Sequence, residues 1–390
     1  MKKFFTLLLC ILMTLMLCGC GSNGGNEAED GSIVIKLGGS GPLTGDAKTY
    51  GEAVRNAAQI AVDEINNSDS KIKFDLRFED DAHDAEKAVS AYANLYDWGM
   101  QVSLYTVTSA PGAAVAKLYD EDRIFALTPS GSSTDLVYTS SENFEGNFQM
   151  CFTDPNQGVA AADYIAENFG NANIGIIYKS DDVYSAGIFE KFINEAKVKG
   201  LNIVYDDGAF TDDTSTDFSA QLMAAKDAGT DLLFMPIYYQ PASLILKQAY
   251  DMMFEPTFFG VDGLDGILTL KGFDTSLAEG VYLLTPFAAD SQDAKTKHFV
   301  EAYKNAYGEV PNQFAADAYD CVYAIHQALV NIGVDKDYDF DGLFDDVISQ
   351  FLTMSFDGTT GNSVTWKENG EVSKLPKAVI ITDGVYVSAD

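Results

Sequence analysis

The sequence predicts an α/β protein of two doubly wound lobes, each a parallel sheet covered by helices. Three observations lead there. Short apolar, β-branched runs alternate with longer stretches of helical periodicity from residue 33 to residue 260, which is the pattern of strand–helix–strand units. The chain has 390 residues, more than a single sheet-and-helix core accommodates. Its apolar share of 47% is that of a globular body with a buried core. No internal repeat of short period competes with this reading.

The elements follow in order. A strand is expected over 33–38, β-branched and apolar until it runs into glycines. A helix over 51–66 sets Val54, Ala58, Val62 and Ile65 on one face, the spacing of an amphipathic helix. Alternating apolar and charged residues mark a strand over 73–79, and 84–97 is helical again. Strands over 102–105 and 124–127 flank a helix over 111–120. The order then repeats: strand 174–178, helix 186–199, strand 203–210, helix 218–228, strand 232–235, helix 241–252 and strand 256–260. Open sheets of this kind bind ligands beyond the carboxyl ends of their strands. That singles out the loops at 40–45, 106–111, 128–133 and 261–266, all rich in hydroxyls or glycine.

The first residues bear on where the protein works. Lys2 and Lys3 precede an apolar run that ends at Leu17-Cys18-Gly19-Cys20. This is the form of a secretory signal, and the run falls short of the roughly 20 apolar residues a membrane span needs. The ending resembles the lipobox of bacterial lipoproteins. The resemblance implies a signal peptide over 1–19, a lipid on Cys20, and a glycine- and asparagine-rich tether over 20–31 that leashes a body outside the cytoplasm, at the cell surface or in a periplasm. The formal net charge is −33; such an acidic body repels nucleic acid and anionic lipid. Of five cysteines, only Cys151 and Cys321 lie beyond residue 20. Two cysteines make no disulfide framework, and both sit among apolar residues, which favours buried free thiols over a bridge.

Several motifs fail on spacing. Gly39-Ser40-Gly41-Pro42-Leu43-Thr44-Gly45 follows a strand but misses the dinucleotide fingerprint by one residue. Asp337, Asp339 and Asp341 open like a calcium loop, yet Ile348 stands at the twelfth position, where a bidentate Glu is needed. His83, His298 and His326 are scattered, without metal-ligand spacing, and read as surface or packing residues. No nucleophile elbow occurs. No cofactor or metal is expected, and no enzymatic activity.

What survives is a set of polar groups on post-strand loops. Ser109-Ala110-Pro111-Gly112 closes a strand and opens a helix, with Ser109 expected as N-cap. The amides of a helix start suit a carboxylate; a plain capping serine reads equally well. Thr128-Pro129-Ser130-Gly131-Ser132-Ser133 offers hydroxyls and amides for a second anion cradle, or is a polar turn. Asp262, in Gly260-Val261-Asp262-Gly263, is placed to pair an ammonium or to serve a turn. Tyr50, Tyr184 and Tyr238 each stand near a post-strand loop or helix start.

Taken together, these segments resemble the leucine/isoleucine/valine-binding family of periplasmic binding proteins. Gly41-Pro42-Leu43-Thr44-Gly45, Tyr50-Gly51 and Ala61-Val62-Asp63-Glu64-Ile65-Asn66 are similar to its N-terminal signature. Thr108-Ser109 and Leu127 to Ser132 resemble its first-lobe loops; Tyr184, Phe218-Ser219-Ala220, Tyr238-Tyr239 and Gly260 to Gly263 resemble landmarks of its second. Phe356-Asp357-Gly358-Thr359-Thr360-Gly361 is like a turn near its C-terminus.

The resemblance implies two lobes joined by a three-segment hinge: lobe 1 from 32–152 and 286–370, lobe 2 from 153–285 and 371–390. It implies a monomer that captures a free amino acid, aliphatic or branched-chain, and passes it to an ABC transporter permease. Ser109, Ser130 and Ser132 would face the ligand carboxylate and part of its ammonium. Asp262 would be the ammonium's counter-charge, Tyr184 and Tyr238 would lie alongside, and Tyr50 would close the side-chain end. Tyr105, where the family leads one to expect glycine, would reshape the pocket. The same fold serves amides, urea and aromatic acids, or a sensory role.

Overall fold

The computed structural model describes residues 31–389; the segment expected to be a signal peptide, the expected lipid site Cys20 and nearly all of the expected tether lie outside the described residues. The first sheet starts with β1 (Ile33–Gly41), whose alternate residues Ile33, Ile35 and Leu37 are buried. Around it lie β2 (Ile72–Asp80), β3 (Val102–Thr106), β4 (Phe125–Thr128) and β5 (Asn147–Gln149), in the order β2-β1-β3-β4-β5 and all parallel. Helices α1 (Lys48–Asn67), α2 (Ala85–Trp98) and α3 (Ser109–Glu121) connect the strands. α1 buries Tyr50, Val54, Ala58, Ala61 and Ile65 at spacings of three and four, one apolar stripe along a helix. α2 starts on Asp84, which accepts from the Lys87 amide, and ends at Gly99 in the left-handed region, where a residue without Cβ costs least.

The second sheet is mixed. β6 (Asn173–Lys179), β7 (Asn202–Phe210), β8 (Leu232–Met235), β9 (Thr257–Gly260) and β10 (Tyr282–Thr285) run parallel. An antiparallel hairpin, β11 (Lys377–Thr382) and β12 (Val385–Ser388), is added beside β10, giving the order β12-β11-β10-β9-β8-β6-β7. The sequence predicts none of β5, β10 and the hairpin. Helices α4 (Asp154–Asn168), α5 (Val183–Lys199), α6 (Ser219–Asp227) and α7 (Tyr239–Asp251) serve this lobe. α4 opens with Thr153 accepting from the Asn156 amide and with proline in its first turn, where proline's missing N–H is no loss.

The chain passes between the sheets three times. It leaves the first after β5, returns after β10 to lay α8 (Ala294–Tyr307), α9 (Gln313–Ile332) and α10 (Leu343–Phe351) against the first lobe, and leaves again for β11. The third passage is fastened at one end. Lys374 Nζ lies 2.5 Å from Asp317 Oδ1 on α9 and donates to Thr360 Oγ1 at 2.6 Å. Asp320, three residues along the helix, accepts from the amides and hydroxyls of Thr359 and Thr360. Burial pushes Asp317 up to about 6 in spite of the ammonium beside it. Removing one partner of such a buried pair strands the other charge. Cys151 and Cys321 are buried near this pair as free thiols. Among the described residues no helix is long and apolar enough to cross a membrane.

Candidate ligand-binding site

The lobe 1 wall grows from the ends of β3 and β4. Thr128 Oγ1 donates to the Thr106 carbonyl at 2.7 Å and accepts from the Gly131 amide at 2.8 Å. Ser130 Oγ donates to the Val107 carbonyl. Gln149 Nε2 holds the same loop from below through the carbonyls of Gly131 and Ser133, at 2.8 and 3.1 Å. The two hydroxyl-rich loops are thereby braced into one surface. Thr108, not Ser109, is the N-cap of α3. Ser109 is already helical, and its hydroxyl accepts from the Ser133 amide at 3.1 Å, so it ties the loops together instead of capping. The first amides of α3 have no acceptor within their own helix and lend partial positive charge to this wall.

The lobe 2 wall is aromatic and acidic. Asp182 caps α5 by accepting from the Ser185 amide, which sets Tyr184 in the first turn. Tyr184 donates to Asp262 Oδ1 at 2.6 Å and accepts from the Gly263 amide at 2.9 Å. Its ring stacks on Tyr238 at 4.7 Å. Position 263 needs glycine, because a Cβ there would come within 2.5 Å of the Tyr184 hydroxyl. Asp262 begins the turn after β9 and is buried; burial raises its pKa to about 7, against the pull of Tyr184, Gln157 and the Gly263 amide. Gln157 accepts from the Asp262 amide at 3.3 Å.

Two tyrosines cross the seam. Tyr50 of lobe 1 donates to the Gly263 carbonyl at 2.5 Å and accepts from the Tyr239 amide at 3.2 Å. Tyr239 of lobe 2 donates in return to the Asp46 carbonyl at 2.7 Å. The Tyr50 ring meets Tyr238 and Phe314 edge-on, at 5.3 and 4.6 Å.

The sequence-chosen residues converge on one small cavity. Tyr50, Ser130, Tyr184, Tyr238 and Asp262 line a space of about 10 Å³ between the lobes, with Val107, Thr108, Gly263 and Phe314. Ser109 and Ser132 are buried but do not line it; the Ser132 carbonyl accepts from the Asp154 amide at 2.9 Å. Tyr105 is turned away from the cleft, so it does not reshape the cavity. Its hydroxyl donates to the carbonyls of Gly112 and Leu136 inside lobe 1, and its ring lies 4.7 Å from Tyr119. Its left-handed backbone (φ 58°) is uncommon for a bulky residue and is held by the Ser103 hydroxyl, which accepts its amide at 2.8 Å.

Other residues at this seam went unread in the sequence. His83 is a partly exposed packing residue with a specific place at the seam: its Nδ1 lies 2.9 Å from Thr108 Oγ1, and its ring stands 5.5 Å from Tyr238. Burial lowers its pKa, while the Asp182 carboxylate, 3.9 Å away, raises it. Asp154 is buried at the start of α4, with one carboxylate oxygen unpartnered and its pKa pushed well up by burial. The Thr153-Asp154-Pro155 run announces a helix start; its place beside the cleft follows only from the first passage between lobes. Phe314 arrives from the far end of the chain and carries no local signal.

Two sheet lobes, joined by three passages and meeting at a cleft with hydroxyls on one side and a buried carboxylate on the other, define a cleft-type binding protein. The comparisons carry this further. A family profile described as "Periplasmic binding protein" matches residues 34–375. The Leu/Ile/Val-binding protein BraC3 of Rhizobium johnstonii is 28% identical over 306 residues, 78% of this chain and 81% of that protein. The leucine-binding protein LivK of Thermotoga maritima is 25% identical, with a TM-score of 0.80 over 91% of this chain and 98% of its own. The branched-chain amino acid transporter substrate-binding protein LivJ of Streptococcus pneumoniae, solved with isoleucine, is 26% identical, with a TM-score of 0.78 over 91% and 99%. The chain belongs to the leucine/isoleucine/valine-binding family of periplasmic binding proteins.

Proposed function

We propose that this protein is the extracytoplasmic substrate-binding component of an ABC transporter, capturing a free amino acid with an aliphatic, branched side chain and handing it to a membrane permease. Lobe 1 comprises 32–152 and 286–370, lobe 2 comprises 153–285 and 371–390, and hinge closure brings their walls together. The observation that carries the reading is Asp262, a buried carboxylate facing a neutral hydroxyl wall across the seam. A zwitterion matches both sides. Its carboxylate meets the Ser130 loop and the start of α3, which Ser109 and Ser132 support from behind. Its ammonium meets Asp262, beside Tyr184 and Tyr238. Tyr50 and Phe314 bound the side-chain end. An empty closed cleft leaves Asp262 dehydrated without a cation, which is costly, so ligand favours closure. The names of the relatives support the branched-chain choice.

A thermal-shift screen of the twenty amino acids with amides and aromatic acids tests this reading. A ligand at 100 times its Kd stabilises by about 2.7 kcal/mol. A response to amides or aromatic acids alone would overturn it, because those compounds give Asp262 no ammonium. The body is held at the membrane by a lipid on Cys20. Cys20→Ser should release it from the membrane fraction, and its retention there would refute the anchor.

A further inference from the structure

Beside the hinge the lobes leave a second cavity, of about 440 Å³, within the size range of small-molecule sites. Lobe 2 supplies Leu268, Leu283 and Tyr386 to its wall, the second passage supplies Phe287, and the connection from α8 to α9 supplies Val310. Its exposed rim carries one cation, Lys304, and one anion, Asp290. The inner wall holds Asp265, 4% exposed. Asp265 Oδ2 accepts from the Gln313 amide at 2.9 Å. Its Oδ1 and the Tyr386 hydroxyl are buried side by side, close enough to interact with each other and with the amide of Gly266, yet neither makes a hydrogen bond of good alignment. Asp262, which lines the cleft, opens the short turn that ends at Asp265. The residues lining the two cavities do not overlap.

We propose that this cavity is a second binding site, for a primary amine with an apolar body, whose ammonium sits between Asp265 Oδ1 and the Tyr386 hydroxyl. A buried acceptor without a partner carries the full cost of its desolvation. An ammonium has three donors and no acceptor, so one group satisfies the carboxylate and the phenolic oxygen together, with the gain of charge assistance. The body then covers Leu268, Leu283, Phe287 and Val310, which explains an apolar wall around a single inner carboxylate. A neutral alcohol of the same shape leaves the carboxylate without a counter-charge.

The test is calorimetry on the tether-and-body chain with 2-phenylethylamine as probe and 2-phenylethanol as its neutral counterpart. The amine should bind saturably at one site, and the alcohol about tenfold more weakly or worse, a difference of about 1.4 kcal/mol. Asp265→Asn keeps an acceptor for the Gln313 amide and should weaken the amine by about tenfold. Val310→Trp, which fills the cavity from its rim, should do the same without touching the carboxylate. Asp262→Ala should leave amine binding within about twofold. Absence of saturable binding, equal binding of the alcohol, or loss on Asp262→Ala with retention on Asp265→Asn would each overturn the proposal; the last would put the amine in the cleft.

Discussion

The two walls of the cleft are built on opposite principles. The lobe 1 wall is neutral and braced: Thr128, Ser130 and Ser109 spend their hydroxyls on neighbouring backbone, and Gln149 holds the loop from below. The lobe 2 wall carries a carboxylate that burial pushes up to about 7. One side is complete before anything binds; the other is costly until a cation arrives. On the proposed function the contrast gives them separate tasks: the neutral wall would fix orientation, and the acidic wall would couple occupancy to closure.

The largest expected effect comes from abolishing the acidic side. Asp262→Ala should cost about 2–5 kcal/mol of amino-acid affinity, the usual loss when one member of a buried charge pair is removed. Undiminished affinity by calorimetry would remove Asp262 from the site and erase the contrast.

Titration sharpens the comparison without mutation. The unfolded chain gives up the Asp262 proton near pH 4, while the unliganded fold keeps it to about 7. This carboxyl therefore lowers the stability of the unliganded fold progressively as pH rises from about 4 to about 7. Asp81 and Asp317, both raised to about 6, act in the same sense. An ammonium ligand favours the ionised form, so binding expels the proton. Affinity should rise with pH up to about 7, by at most about tenfold per unit, and Asp262→Asn should flatten the profile. A flat profile in the unsubstituted protein would mean that Asp262 does not face the ammonium.

The smallest effect belongs to the neutral wall. Ser130→Ala removes one hydroxyl and frees the Val107 carbonyl, which should cost about 0.5–1.5 kcal/mol of affinity. Its pH profile should keep the slope of the unsubstituted protein. A changed slope would make the two walls electrostatically inseparable.

Much of the fold was legible because strands and helices alternate with clear periods. Strand 232–235 emerges unchanged, and four of the six expected helices start two or three residues earlier than their apolar spacing suggests, only one of them on a side-chain cap, Asp182. β5 has three residues and the β11–β12 hairpin is short, too little for periodicity to register. The site was readable where a residue type announces its chemistry after a strand, as at Asp262 and Tyr184. His83 was not, since a lone histidine gives no hint of the left-handed turn at Ala82 and His83 (φ 49° and 59°) that aims it at Thr108. Tyr105 misled for a related reason: a bulky residue suggests steric consequence, but its backbone directs the ring into the lobe.

The Lys374 pair bears on how the molecule can bend. The third passage is held against lobe 1 at Lys374, whose buried ammonium pairs with Asp317 on α9. From Lys377 it is a paired strand of the other lobe. Pro376 stands between, and the residue before a proline is confined to extended conformations. Leu375 is that residue, and Pro376 has its own φ fixed, so this short ribbon between the lobes is stiff in its backbone, while the Leu375 side chain, 81% exposed, stands largely in solvent.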